Sequence, residues 1–263
     1  MAEPSQRGAG PGGPWFTCPP QAAGAIRLYC FSHAGGNALG VLPGRSRLDP
    51  RIELVAVQLP GRGRRAAEPA CTGFDELVAS VAAEIDRHAG MPCAFFGHSM
   101  GALLAFEVAR ACRRAAPDIG HLLLSGCAAP RALRPPAGLP ALTDAALEAA
   151  LGHHKLAPPQ LLQMRALMLR ALPAIRADLA LMNSYRYRPG ALLARPLTVL
   201  YGSEDRLVRP QQVDGWGEET TAPWSRHGFE GDHFFVDSCR PAVLALVERV
   251  LLQQPAPLPG PPP

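Results

Sequence analysis

The sequence predicts an α/β fold, a mostly parallel central sheet flanked by helices, on three observations. Five short apolar runs, at residues 25–32, 51–59, 93–98, 121–127 and 196–202, have the length and continuous hydrophobicity of strands buried on both faces. Between most of them lie segments whose apolar residues recur every three or four positions, the period of a helix that packs one face. The alternation of the two patterns builds a parallel sheet with helices on both sides. At 263 residues and 48% apolar composition the chain is long enough for one such domain carrying an insertion.

Taken in order, residues 1–24 and the tail 255–263 are dominated by Pro, Gly and Ala. Both are expected to be disordered because they offer too little apolar surface to offset ordering. The folded domain is then 25–254. The run "AIRLYCFS" opens the sheet and leads into the Gly-rich "FSHAGGNALG" at 31–40, and "RIELVAVQL" follows. From Thr72 to Ala89 the residues Phe74, Leu77, Val78, Val81 and Ile85 fall on one helical stripe, with Thr72 placed to cap the first turn. The run "CAFFGH" precedes a helix over about 101–115, and "HLLLSGC" supplies the next strand. Residues 130–190 break the alternation with Leu-rich and Met-rich helical periodicity and no strand pattern. That stretch is too long for a connection and predicts a helical insertion covering one end of the sheet. The run "PLTVLYG" is the last apolar strand, and a helix over about 241–252 completes the alternation.

Several function classes are set aside by composition. No apolar run approaches the roughly 20 residues of a membrane span, and the N-terminus lacks a basic region followed by an apolar stretch, so a soluble protein that is not exported is expected. The seven cysteines, Cys18, Cys30, Cys71, Cys93, Cys112, Cys127 and Cys239, are scattered singly without zinc-ligand spacing. They predict reduced, mostly buried thiols in a cytoplasm, and neither a metal nor another cofactor is expected. A net charge of +4 without a basic cluster interleaved with aromatics argues against nucleic acid. The excess is localised: residues 130–190 hold eight basic and three acidic side chains, which suits an acidic partner as well as an ordinary solvated surface. Lys155 is the only lysine against 25 arginines, in keeping with a GC-rich genome.

The chemistry centres on Gly-His-Ser-Met-Gly at 97–101. A buried strand enters this G-x-S-x-G pentapeptide and a helix leaves it, the context of a nucleophile elbow with Ser99 exposed at its apex. Glycines are required there because strand and helix backbones come close together, and the helix N-terminus favours developing negative charge. A serine hydroxyl needs a histidine base and an acid that orients it. Of the eight histidines, His233 in "FEGDHFFVD" lies after a Gly-containing turn and before the final helix, where a loop at the carboxyl edge of the sheet is expected. His98 sits inside the elbow and points away from Ser99. His88, His121 and His227 read as surface or capping residues, and His153 and His154 as solvated residues of the insertion. For the acid, Asp205 in "TVLYGSEDRLV" is preferred, because the turn from Gly202 directs it back over the sheet edge. Glu204 is the alternative, and Asp232 is too near His233 in sequence to reach it. The order Ser99, Asp205, His233 is that of α/β-hydrolases. Oxyanion donors are expected at the Met100 N–H and, from the loop after the first strand, at the Ala34 N–H.

The stretches "FSHAGGNALG", "VQLPGRGRRAAEP", "FFGHSMGALLAFEVAR", "IRADLALMNSYRYRP", "VLYGSEDRL" and "GDHFFV" resemble, in order and spacing, type II thioesterases, the free-standing editing hydrolases of polyketide and nonribosomal-peptide assembly lines. The likeness covers about residues 24–252, and Asn37 is a minor departure where many relatives carry a small residue. The resemblance implies an α/β-hydrolase fold and hydrolysis of acyl thioesters on the phosphopantetheine arm of an acyl carrier protein or peptidyl carrier domain. It assigns Ser99, Asp205 and His233 as the triad and Ala34 and Met100 to the oxyanion hole. The insertion corresponds to a mobile lid, and a monomer is expected. Two rivals share these residues: a carboxylesterase or lipase acting on small esters, and a non-catalytic protein that holds an acyl ligand.

Overall fold

The computed structural model describes residues 13–17, 24–41, 48–135 and 137–253. Residues 1–12, 18–23 and the Pro-rich tail lie outside the described residues. The sheet has seven strands in the order β1-β3-β2-β4-β5-β6-β7: β1 Phe16–Thr17, β2 Ile26–Phe31, β3 Ile52–Val57, β4 Cys93–His98, β5 Ile119–Ser125, β6 Leu197–Gly202 and β7 Trp224–Phe229. All neighbouring pairs are parallel except β1 with β3. The helices are α1 Ala38–Val41, α2 Phe74–Asp86, α3 Met100–Ala111, α4 Asp144–His153, α5 Pro159–Gln163, α6 Arg165–Ser184, α7 Pro210–Val213, α8 Phe235–Ser238 and α9 Arg240–Leu252.

The five anticipated strands are β2 to β6, displaced by at most two residues at either end. Their alternating side chains divide into two cores. Tyr29, Phe31, Val55, Phe95 and Leu122 face α2 and α3, while Leu28, Cys30, Leu54, Ala94 and Leu123 face α9. Each such large side chain contributes roughly 1.5–3 kcal/mol on burial.

Three expectations are corrected. The segment 1–24 is not wholly unstructured, because Phe16–Thr17 pairs antiparallel with β3 in the register Phe16↔Val57. Phe16 is buried with its ring 5.3 Å from Tyr29, and the Arg65 guanidinium lies 4.0 Å over Trp15. A two-residue strand is lost in the Pro/Gly average around it. The edge strand β7 was not anticipated, because its sequence WSRHGF is polar and half exposed and carries no apolar run. Thr72 does not cap α2: Gly73 occupies the cap position, and the Phe74 N–H donates instead to Ser184 Oγ at the end of α6, 3.1 Å away. Asp75 and Glu76 in the first turn still favour the positive end of the helix dipole.

Between β5 and β6 the insertion is helical, as expected, with α4, α5 and α6 around a small core of Leu147, Leu151, Ala157, Met168, Leu172, Ile175 and Leu179. The far end of α6 leaves that core and places Leu181 and Met182 in the large core that the sheet shares with α2 and α3. Cys30, Cys93, Cys112 and Cys127 are buried, and burial pushes the Cys93, Cys112 and Cys127 thiols up to about 12. Among the described residues no helix is long and apolar enough to cross a membrane, and no group of three metal-ligating side chains converges.

Candidate active site

The site lies at the carboxyl ends of β2, β4, β6 and β7. Ser99 stands between β4 and α3 with φ 55° and ψ −121°, a conformation a side-chain-bearing residue adopts only under constraint. The constraint is visible on both sides of it. A Cβ at Gly97 would lie 2.2 Å from the Gly101 carbonyl oxygen, and one at Gly101 would lie 2.2 Å from that of Phe31. Strand, helix and the end of β2 therefore meet backbone to backbone. The Ser99 N–H continues the sheet by donating to the Ser125 carbonyl at 2.8 Å, while its own carbonyl accepts from the Ala102 N–H at 2.9 Å and begins the helix.

Asp205 follows β6, and its Oδ1 accepts the Leu207 and Val208 N–H groups at 2.8 and 3.1 Å. That leaves Oδ2 for His233, whose Nδ1 lies 2.7 Å away. A carboxylate only accepts here, so Nδ1 carries the proton and Nε2 is free to accept the Ser99 hydroxyl at 2.9 Å. Asp205 and His233 are both buried, which strengthens the pairing. Ser99, His233 and Asp205 thus form one hydrogen-bonded chain. Glu204 is not part of it: it is exposed, and its N–H is spent on the Gly231 carbonyl. Asp232 turns outward to Lys155, 3.3 Å away.

In the loop after β2, Gly35 N–H donates to Asp178 Oδ2 at 2.7 Å and Gly36 N–H to the His33 carbonyl at 2.9 Å. Ala34 N–H has no acceptor among the described residues, and Met100, first residue of α3, has no helical acceptor for its own. These two groups remain available at the end of the sheet that carries Ser99.

Histidines surround the chain. His98 does not face Ser99; it lies beneath His233, with ring centroids 5.1 Å apart, and its Nδ1 is 3.0 Å from Ser125 Oγ. Burial, then the charges of His233 and His33, hold its pKa well below the ordinary 6.5. His33, which the sequence did not single out, is likewise lowered mainly by burial, and its Nδ1 donates to the Ala34 carbonyl at 2.9 Å. Its position directly before Ala34 in "FSHAGGN" was the available signal. His121 is not a surface or capping residue but is buried in β5, with Nε2 2.8 Å from Thr198 Oγ1 on β6. His153 and His154 are exposed, as expected, and with Lys155, Arg206 and Asp232 they line a cavity of about 170 Å³ that reaches His233.

A parallel sheet with a serine at a strained strand-to-helix turn, hydrogen-bonded to a histidine and an aspartate from later strand ends, defines an α/β-hydrolase. A thioesterase domain model matches residues 26–251. The chain is 35% identical over 216 residues to the gramicidin S biosynthesis protein GrsT of Aneurinibacillus migulanus, covering 82% of this chain and 84% of that one. Among solved structures it resembles the type II thioesterase BorB from the borrelidin biosynthetic cluster, at TM-score 0.82, 37% identity and 89% and 96% coverage of the two chains. It also resembles the thioesterase RedJ from the prodiginine biosynthetic pathway in Streptomyces coelicolor, at TM-score 0.80, 34% identity and 87% coverage of each. The chain belongs to the thioesterase family and is a thioester hydrolase.

Proposed function

We propose that the protein hydrolyses acyl thioesters carried on the phosphopantetheine arm of an acyl carrier protein or peptidyl carrier domain, as an editing enzyme of polyketide or nonribosomal-peptide synthesis. The observation that supports this reading most directly is the continuous chain from Ser99 Oγ through His233 to Asp205, at 2.9 and 2.7 Å. The similarity to proteins named for such pathways supports the substrate class.

In this mechanism Ser99 Oγ attacks the thioester carbonyl while His233 Nε2 takes its proton. Asp205 keeps the other ring nitrogen protonated and stabilises the imidazolium that results. The oxyanion is met by the Met100 and Ala34 N–H groups and by the dipole of α3. Collapse of the tetrahedral intermediate releases the pantetheine thiol, which needs less protonation than an amine because a thiolate leaves readily. His233 then activates water, which attacks the acyl-Ser99 ester and regenerates the enzyme.

The test is turnover of an acyl-phosphopantetheinyl carrier protein. Ser99→Ala is expected to lower kcat/KM by at least ~10³-fold with the fold unchanged, and near-wild-type turnover would remove Ser99 from the mechanism. Wild-type kcat/KM on the carrier-borne thioester should exceed that on a free ester with the same acyl group. The reverse preference would instead favour the small-ester hydrolase.

A further inference from the structure

Asp178 is a buried carboxylate, 2% exposed, on the same helix as the apolar Ile175, Leu179 and Leu181. A carboxylate in such surroundings persists only if it is paired and hydrogen-bonded. Its partners come from the sheet end. Arg62, in the turn after β3, presents both terminal nitrogens to its two oxygens, and Gly35 N–H donates to Oδ2 at 2.7 Å. The same guanidinium also donates to the Gly36 carbonyl at 3.3 Å, and Gln58 Nε2 fixes the turn by donating to the Arg62 carbonyl at 3.0 Å. One turn earlier on α6, Ile175 closes over the same loop. Gly35 has φ 74°, and a Cβ there would lie 2.2 Å from Ile175 Cγ1. An insertion helix thus holds the loop just after Ala34 at two points, the Gly35 N–H directly and the Gly36 carbonyl through Arg62.

We propose that Asp178, acting with Arg62, is a positioning residue for the oxyanion hole: it fixes the Gly35–Gly36 peptides and thereby the direction of the Ala34 N–H. The hole is then complete only while α6 is seated on the sheet, so the insertion controls catalysis and does more than enclose the acyl group. This rests on the reading of Ala34 and Met100 as oxyanion donors. Three donors, Gly35 N–H and the two Arg62 nitrogens, face the two Asp178 oxygens, and an amide at 178 offers one acceptor and brings donors of its own. Asp178→Asn therefore turns the loop even though its shape is conserved.

The test compares an acyl thioester with the matching dithioester, whose thiocarbonyl sulfur is a large, poor acceptor for a fixed pair of N–H groups. The wild type should favour the oxygen substrate far beyond the ratio seen in hydroxide hydrolysis. Asp178→Asn should lower kcat on the thioester by ~10²-fold, about the value of one oxyanion donor. It should shrink the oxygen-to-sulfur preference at least ~10-fold while leaving KM little changed. Arg62→Lys keeps a cation beside Asp178 but loses the fork. It should show the same changes at smaller amplitude, and it carries the test if Asp178→Asn does not fold. If the wild type shows no preference beyond hydroxide, the oxyanion reading itself fails. If the wild type discriminates and the folded variants discriminate equally, the ion pair is only a structural tie and the inference is overturned.

Discussion

The sheet and the helical insertion are built to different standards of rigidity. Around Ser99 the contacts are backbone against backbone: Gly97 on Gly101, and Gly101 on the Phe31 carbonyl, with no space for a single Cβ. Seven residues make the insertion core, while Met164, Leu167 and Leu169 stay 54%, 45% and 47% exposed on its surface. A hydrogen-bonded nucleophile has to be held within a fraction of an ångström, and only the first kind of packing does that. The insertion is held by side-chain contacts instead, which can rearrange more easily. The two regions are joined at α6, whose early residues belong to the small core and whose Leu181 and Met182 belong to the large one.

The largest expected effect separates these cores directly. Leu123, at the centre of β5, and Leu172, in α6, are both essentially sealed from solvent. Truncation of either to alanine should cost about 2–5 kcal/mol where it acts. Leu123→Ala should lower the midpoint of the whole unfolding transition. Leu172→Ala should instead release amide protection across α4 to α6 while β2 to β6 keep theirs, because a small satellite core can open by itself. Hydrogen exchange read segment by segment checks this. Uniform loss of protection in both variants would mean that the sheet and the insertion fold as one unit.

The same difference governs what the sequence could disclose. Strands buried on both faces show as apolar runs; Ser99 and Asp205 follow such runs directly, and His233 lies between a Gly-containing turn and the final helix, so all three could be singled out from local context. The edges of the sheet were not legible, because β7 has a solvent face and β1 is two residues long. The cap on α2 was misread because its donor is met by Ser184, 110 residues away. Asp178 stood in the sequence as one acid on an apolar helix, but its meaning depends on Gly35 and Arg62, more than a hundred residues earlier in the chain. Periodicity reports which side of an element is buried and carries no information about such distant pairings.

A smaller effect arises at the sheet end and depends on pH. His33 and His98 have folded pKa values below the ordinary 6.5, chiefly through burial. Below about pH 6.5 the unfolded chain takes up protons at these positions that the native state refuses. Their contribution to stability is therefore fully present above that pH and is lost as the pH falls, with a slope of up to about 1.4 kcal/mol per pH unit for each histidine. Denaturant unfolding between pH 7.5 and 5 should show this loss, and His98→Gln should reduce the slope. An unchanged slope would mean that His98 is not held neutral. Because His98 packs on His233 and His33 packs on His98, the sheet end should also lose its amide protection before the insertion does as acid is added.

The smallest expected effect lies where the two regions touch across the cavity beside His233. Lys155 has φ 52°, a left-handed conformation, and its ammonium reaches Asp232 at 3.3 Å with the side chain 58% exposed. Lys155→Gly removes a backbone strain of about 1 kcal/mol and an exposed ion pair worth about 0–1 kcal/mol. It also adds about 0.4–1 kcal/mol of unfolded-state entropy. These terms nearly cancel, so stability should change by less than about 0.5 kcal/mol. With the Asp178–Arg62 tie between α6 and the sheet end intact, kcat should remain within ~2-fold of wild type, and KM for the carrier-borne substrate should carry the response to a looser Lys155 segment. A fall in kcat of ten-fold or more with the fold intact would show that the Lys155–Asp232 contact helps to hold the neighbouring His233. The segment around Lys155 would then act on the site as directly as α6 is proposed to do through Asp178.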